Sequence, residues 1–291
     1  VSRSFVVVPK IPSPPNPVPV DSPTPPPAIA AHGHAEQKAP PFAWLDGLLR
    51  PASVVSGPLG PLWRWSERGL VAVALLFVTY VCWQHALHAS LSVDGVRYYW
   101  LDDDQMISMR YARNLVEGHG LTWNPGERIE GYTNFGWTLV LAAVHLLRLP
   151  LQQNALVVQT LTWLFCLATV LLSRRLLLQL LEGRTVLATL ALTGALVTCQ
   201  DIVGWSAGGF ETSLITTVHL LVMTRIFDPR SRLTPTLLLL ATIPLIRGDG
   251  VVLWGTEVVA LLVTRGVRRR LLVAAALTLL PAFGHLLFRH G

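Results

Sequence analysis

Charge is scarce in this sequence. Of 291 residues only 14% are Asp, Glu, Lys or Arg, against roughly 25% in a soluble globular domain. The shortage is concentrated after Gly69, where long apolar runs recur. That argues against a water-facing surface for this stretch, since about 20 apolar residues suffice to cross the hydrocarbon core of a bilayer. Cysteine is also scarce. Cys82, Cys166 and Cys199 fall inside or at the edges of apolar runs. Their odd number and spacing exclude a disulfide framework and a zinc module, so they read as small buried or lipid-facing hydrophobes. Outside the first 62 residues the histidines (His85, His88, His119, His145, His219, His285, His290) are scattered without metal spacing. No cofactor is expected, and a divalent cation finds no support in ligand spacing. The start carries no secretory-leader pattern. The chain begins at Val1 and stops at the exit of an apolar run, so we expect a piece of a longer protein.

The net charge is +6 and the pI about 9.7. A nucleic-acid partner is not expected, because the arginines lie beside apolar runs, the pattern that sets topology in a membrane protein. Residues 1–62 differ in kind. Fifteen of the 21 prolines lie between Pro9 and Pro61. Runs such as Pro23-Thr24-Pro25-Pro26-Pro27 lack backbone donors. This predicts a disordered, partly polyproline II, cytoplasmic tail. Residues 63–291 form the transmembrane module.

After the tail come the apolar segments Gly69–Leu87, Phe135–Leu147, Ala155–Leu172, Thr185–Thr198, Ser213–Phe227, Thr236–Ile246, Val251–Thr264 and Leu271–Phe288. Arginines cluster before the first (Arg50, Arg64, Arg68) and in three loops, at 174–184, 225–232 and 265–270. All four regions fall on the cytoplasmic side only if Phe135–Leu147 does not span. The expected fold is therefore all-α, a polytopic bundle of about seven spans. Its large first extracytoplasmic loop, about His88–Asn154, contains short interfacial helices, Phe135–Leu147 among them. The acids Asp94, Asp102, Asp103, Asp104, Glu117, Glu127 and Glu130 then gather on the outer side. Asp201, Glu211 and Asp249 join them in two short turns.

The segment from Leu101 to Leu115 carries the strongest chemical signal. Asp102, Asp103 and Asp104 precede or open a helix, where carboxylates suit the helix dipole, and Gly118 stops it. At helical spacing Asp103, Ile107, Arg110 and Asn114 share one face, and Asp104, Ser108 and Tyr111 the next. Such a set fits a transferase acting on a hydroxyl: a carboxylate takes the hydroxyl proton and arginine grips a phosphate. The following stretch, Gly118 to Asn134, includes an Asn124-Pro125-Gly126 turn. Its Asn124, Glu127, Glu130, Tyr132 and Asn134 suit a sugar. Glu211 and the Arg247/Asp249 pair stand at outer ends of spans, where ionisable groups are costly and usually functional. Glu257 lies inside a span with no partner evident from sequence. The rival expectation is a non-enzymatic transporter or scaffold with a proline-rich tail.

Several of these blocks together resemble the GT-C membrane glycosyltransferases, in particular the arabinofuranosyltransferase-like branch of actinobacterial cell-wall assembly. They are Asp103-Asp104, the Ile-Ser-x-Arg-Tyr-Ala-x-Asn-Leu run from Ile107, Gly118-His119-Gly120-Leu121, Asn124-Pro125-Gly126-Glu127 and Glu130-Gly131-Tyr132-Thr133-Asn134. Gly209-Phe210-Glu211-Thr212 and Arg247-Gly248-Asp249-Gly250 resemble later motifs of that branch, the second of which often has Pro where Gly248 stands here. The resemblance covers about Gly69 to Thr264. It implies a polyprenyl-phosphate sugar donor, a glycan or lipid acceptor and an inverting transfer. It also implies a bacterial inner membrane with the active site on its extracytoplasmic face, and further spans beyond this chain. Asp103 or Asp104 is the expected base. Asp102, Arg110, Tyr111, Asn114, Asn124, Glu127, Glu130, Tyr132, Asn134, Glu211, Arg247 and Asp249 are the expected substrate residues, with Arg110 and Arg247 on the donor phosphate.

Overall fold

The structure is a computed structural model, and it describes residues 60–127, 129–181, 185–198 and 200–290. The proline-rich tail through residue 59, Arg128, the 182–184 loop with Arg184, and Cys199 lie outside the described residues.

Two long helices form the frame: α1 (Gly60–His88) and α4 (Leu151–Leu180). At 1.5 Å per residue each is about 45 Å long, more than the roughly 30 Å hydrocarbon core. Between them lie a β-hairpin, β1 (Ser90–Val93) with β2 (Val96–Tyr99), and two short helices, α2 (Asp103–Val116) and α3 (Phe135–Leu146). Then follow α5 (Thr185–Thr198), α6 (Gln200–Ala207), α7 (Thr212–Ile226), α8 (Leu233–Ile246), a 3₁₀ turn at Gly248–Gly250, α9 (Val251–Arg265), α10 (Arg269–Leu277) and α11 (Leu280–His290).

Among the described residues three stretches are long and apolar enough to cross a membrane: Glu67–His88, Leu151–Leu180 and Arg269–Arg289. The helices α7, α8 and α9 have only 14 or 15 residues, about 21–23 Å each. Several expectations change in detail. The molecule is mostly helical, as expected, and the described residues add one β-hairpin to the helices. Asp94-Gly95 joins two strands of alternating polarity, and both take left-handed φ (50° and 81°), the conformation a tight hairpin turn demands. Gln200–Ala207, expected to lie in a short turn, is helical. The last apolar run is broken at Thr278–Leu279, just before Pro281, whose ring cannot continue a helix from the preceding turn. Helix α4 runs eight residues past Leu172, so Arg174 and Arg175 belong to a helix rather than to a loop.

Three apolar clusters hold the bundle. Val78, Cys166, Val170, Leu192 and Val203 join α1, α4, α5 and α6. Val222, Leu240, Ile243 and Leu261 join α7, α8 and α9. Met109, Ala112, Trp137, Leu141 and Val158 seat α2 and α3 on α4. One end of the bundle is tied by arginines. Arg174 pairs with the buried Glu67, Arg175 reaches Asp228 at 3.5 Å, and Arg265 grips Asp228 O and Ser231 Oγ, each at 2.9 Å. The acidic segments Asp102–Asp104, Glu211 and Asp249 meet elsewhere, around the N-terminal end of α2.

Candidate active site

Helix α2 organises the site because its faces are chemically distinct. Its buried stripe is Gln105, Ser108, Met109 and Ala112. Asp102 is its N-cap by backbone position, though its side chain makes no capping bond. Instead the Asp102 N–H donates to Gly208 O at 3.1 Å, and its carboxylate lies over Gly208, where a Cβ would come within 2.1 Å of Oδ2. Gly209 follows at φ 93°, with no room for a side chain beside Leu101. The Gly208-Gly209 pair thereby lets the loop before α7 pass directly against the start of α2.

That close passage places Glu211 inside a polar knot. Glu211 is only 2% exposed. Its Oε2 accepts from Asn134 Nδ2 at 2.9 Å and Gln105 Nε2 at 3.3 Å. Its Oε1 accepts from Arg247 Nη1 at 2.8 Å. Asn134 Oδ1 in turn accepts from Ser108 Oγ at 2.9 Å. Trp137 Nε1 donates to Gln105 Oε1 at 2.9 Å and fixes that amide's orientation. Arg247 completes the set by donating to Asp249 through Nε at 3.0 Å. Three distant chain segments thus converge on one carboxylate, and each presents a donor to it. Buried charge is tolerated only when satisfied in this way. Arg247 stays 43% exposed, so its guanidinium meets both the knot and the exterior.

A separate cleft of about 760 Å³ runs along the opposite flank of α2, lined by Asp103, Ile107, Arg110 and Asn114 with Trp123 and His145. The predicted sharing of one face by Asp103, Ile107, Arg110 and Asn114 is therefore what the cleft wall shows. Arg110 turns to the loop after α2 and not to Asp103. It lies over the Trp123 ring, 4.2 Å from the centroid, and donates to Trp123 O and Asn124 Oδ1, both at 2.9 Å. Asn124 Nδ2 donates to Glu127 at 3.0 Å, and Asn114 Nδ2 to Thr122 O at 2.7 Å. At the far end Arg113 hydrogen-bonds Glu117 and holds its carboxyl below the usual range. Burial keeps the His145 imidazole below its ordinary pKa, which favours the neutral ring at pH 7.

The structure does not bring Arg110 and Arg247 together. Helical geometry puts Arg110 about 160° round α2 from Ser108 and 140° from Gln105, the two residues that connect α2 to the Glu211–Arg247 knot. Ser108 and Tyr111 share the flank of Asp104 as predicted, but their hydroxyls donate elsewhere, to Asn134 and to Ile129 O at 2.7 Å. Tyr111 packs edge-on against Tyr132, centroids 5.1 Å apart. Glu130 is drawn away from the knot to Arg289. Glu257 does have a partner: its Oε1 lies 2.7 Å from His219 Nδ1 between α9 and α7.

Comparison with known proteins yields one partial likeness. Over 42 residues, 14% of this chain, it is 45% identical to the terminal beta-(1->2)-arabinofuranosyltransferase of Mycobacterium tuberculosis (strain ATCC 25618 / H37Rv). The match spans about 7% of that protein's length. No family model matches the chain and no solved structure matches it. The membrane-length apolar helices fit a membrane protein.

Gln105 and Trp137 are the members of the knot that sequence reasoning passed over. Gln105 had a signal, a polar side chain four residues from both Leu101 and Met109 on an otherwise apolar stripe. Trp137, inside an apolar run, had none. Among the described residues no group of three or more His, Cys, Asp or Glu side chains is placed to hold a metal.

Proposed function

We propose that this chain is the membrane-embedded part of a glycosyltransferase. It moves a sugar from a polyprenyl monophosphate to a glycan or lipid acceptor with inversion. The observation that carries the reading is the convergence of Gln105, Asn134, Glu211 and Arg247 on the flank of α2 that bears the exposed Asp104. Inversion needs one base to take the acceptor proton while phosphate leaves from the opposite face. Asp104 stands one turn before Ser108, on the flank that leads to the knot, and is exposed. We assign it as the base. Arg247, braced by Glu211 and Asp249, binds the departing phosphate, where a guanidinium offers paired donors and offsets developing charge. Asp103 and Arg110, in the cleft along the other flank, belong to acceptor binding. We place the site on the extracytoplasmic side of a bacterial inner membrane; the arginine bias of the loops at the opposite end of the bundle supports that orientation.

The test is sugar transfer by the purified full-length protein against a panel of polyprenyl-phosphate sugars, with Arg247→Lys alongside. Lysine keeps an ion pair with Glu211 but loses the paired donors. We expect a loss of about 1.5–3 kcal/mol, roughly ten- to a hundredfold in activity. Unchanged kinetics would leave Arg247 as a structural ion pair alone. A transporter is the second reading, and the His219–Glu257 pair between apolar helices, with Glu257 fully buried, is what favours it. Solute flux into vesicles without sugar transfer would decide for it.

A further inference from the structure

The β-hairpin after α1 has a face that the site does not use. Cross-strand register pairs Leu91 with Tyr98 and Val93 with Val96, so these four side chains share one face. All four are between 41% and 60% exposed. The other face carries Tyr99, which packs on the apolar cluster of α2, α3 and α4. Gln159 of α4 holds the hairpin in place by donating to Trp100 O at 3.1 Å. Anchored at its base by Tyr99 and Trp100, the hairpin leaves this apolar face exposed, while Ser92 and Arg97 stand exposed on the other.

We infer that this face lies on the outer membrane surface, seated at the boundary between headgroups and acyl chains. Continuity argues for lipid as the occupant. Leu76, Tyr80 and Trp83 of α1 form an exposed stripe at helical spacing, each at least 60% exposed. They belong to a stretch long and apolar enough to span. The aromatic end of that stripe stops about one and a half turns before His88, and the hairpin follows after a single residue, Ala89. Tyr and Trp concentrate at membrane interfaces because an apolar ring and a polar tip suit both phases. The turn at Asp94-Gly95 argues against end-on insertion, since it would drive a carboxylate into hydrocarbon. The hairpin instead lies flat, like an interfacial amphipathic element, and sets the height at which the start of α2 and its three aspartates stand above the bilayer. The inference concerns the surface alone and holds whether or not the chain transfers sugar.

Single cysteines at Val93 and Tyr98, with Ser92 as control, can be spin-labelled in a background with Cys82, Cys166 and Cys199 replaced. The protein is reconstituted into phospholipid vesicles, with helical content checked by circular dichroism. Two independent positions on the apolar face guard against one variant that fails to fold. We expect labels at 93 and 98 to be relaxed preferentially by oxygen, which partitions into lipid, and the label at 92 by a water-soluble nickel chelate. Preferential relaxation by nickel at 93 and 98 would overturn the proposal in favour of an aqueous face. Poor access of both reagents there would overturn it in favour of a protein cover.

Discussion

Two neighbouring aspartates on α2 face different surroundings, and substitution should separate them. Asp104→Asn removes the proton acceptor on the knot's flank, and transfer should fall by about 10²–10⁴-fold, the usual contribution of a general base. Asp103→Asn, acting through acceptor binding, should cost no more than about tenfold, or ~1.4 kcal/mol of barrier. The reverse order in initial-rate measurements would move the base to the cleft. Glu211 should be the most sensitive residue for stability. Its partners Asn134, Gln105 and Arg247 all present donors, and Ser108 and Trp137 hold the two amides in that orientation, so Glu211→Gln sets an N–H₂ against other N–H groups. A destabilisation of about 1.5–3 kcal/mol follows from losing hydrogen bonds to a buried charge, read as a lower Tm in detergent. Asp249→Asn should be mild by comparison, because that carboxylate is mostly exposed and screened.

Among the elements, α3 and the turn after α8 are fitted to each other. Gly136 lies against the backbone of α8, where an added Cβ would come within 2.8 Å of Ile246 Cα. Neither helix backbone can give way cheaply, so Gly136→Ala should destabilise by about 1–3 kcal/mol through overpacking. The same change would pry the α3 N-terminus, and Asn134 with it, from the knot. Thermal unfolding and sugar transfer should both register it. Gly248 behaves in the opposite way. It opens the 3₁₀ turn, has open space within 4 Å of where a Cβ would stand, and follows Arg247 at φ −151°, ψ 137°. That extended conformation is what a residue before proline prefers, and proline is well suited to a first helical position. Gly248→Pro should therefore fold and gain about 0.4–1 kcal/mol by restricting the unfolded chain. A loss of stability would show that the turn needs the freedom of glycine.

For the whole molecule the decisive quantity is the side of the membrane on which each end of the bundle lies. Glu127 is in the loop beside the cleft, and Arg230 is in the α7–α8 loop where Arg175 and Arg265 converge on Asp228 and Ser231. Cysteines introduced at the two positions should react with an impermeant reagent from opposite faces of intact cells. Labelling of both from one face would end the proposed orientation. The short helices α7, α8 and α9 bear on the number of spans. At about 21–23 Å they match only a locally thinned bilayer, or they are shielded by neighbouring helices.

By itself the amino-acid sequence determined most of the helical segments, because apolar periodicity and charge exclusion act locally. It also marked Asp102–Asp104, Glu211, Arg247 and Asp249 as residues with a purpose, since charge next to apolar runs is too costly to be incidental. It did not reveal the hairpin's part in the fold, although Asp94-Gly95 between alternating residues carried the signal. Partnerships were beyond it. That Arg110 folds onto Trp123 and not Asp103, that Glu257 meets His219, and that Arg110 and Arg247 serve different flanks of α2 are all decided by contacts between segments far apart in the chain. Only tertiary packing brings Gly208 under Asp102, and only that passage places Glu211 among its donors. The pairing energy of a buried charge depends on which groups arrive in three dimensions, a property that no local pattern of residues encodes.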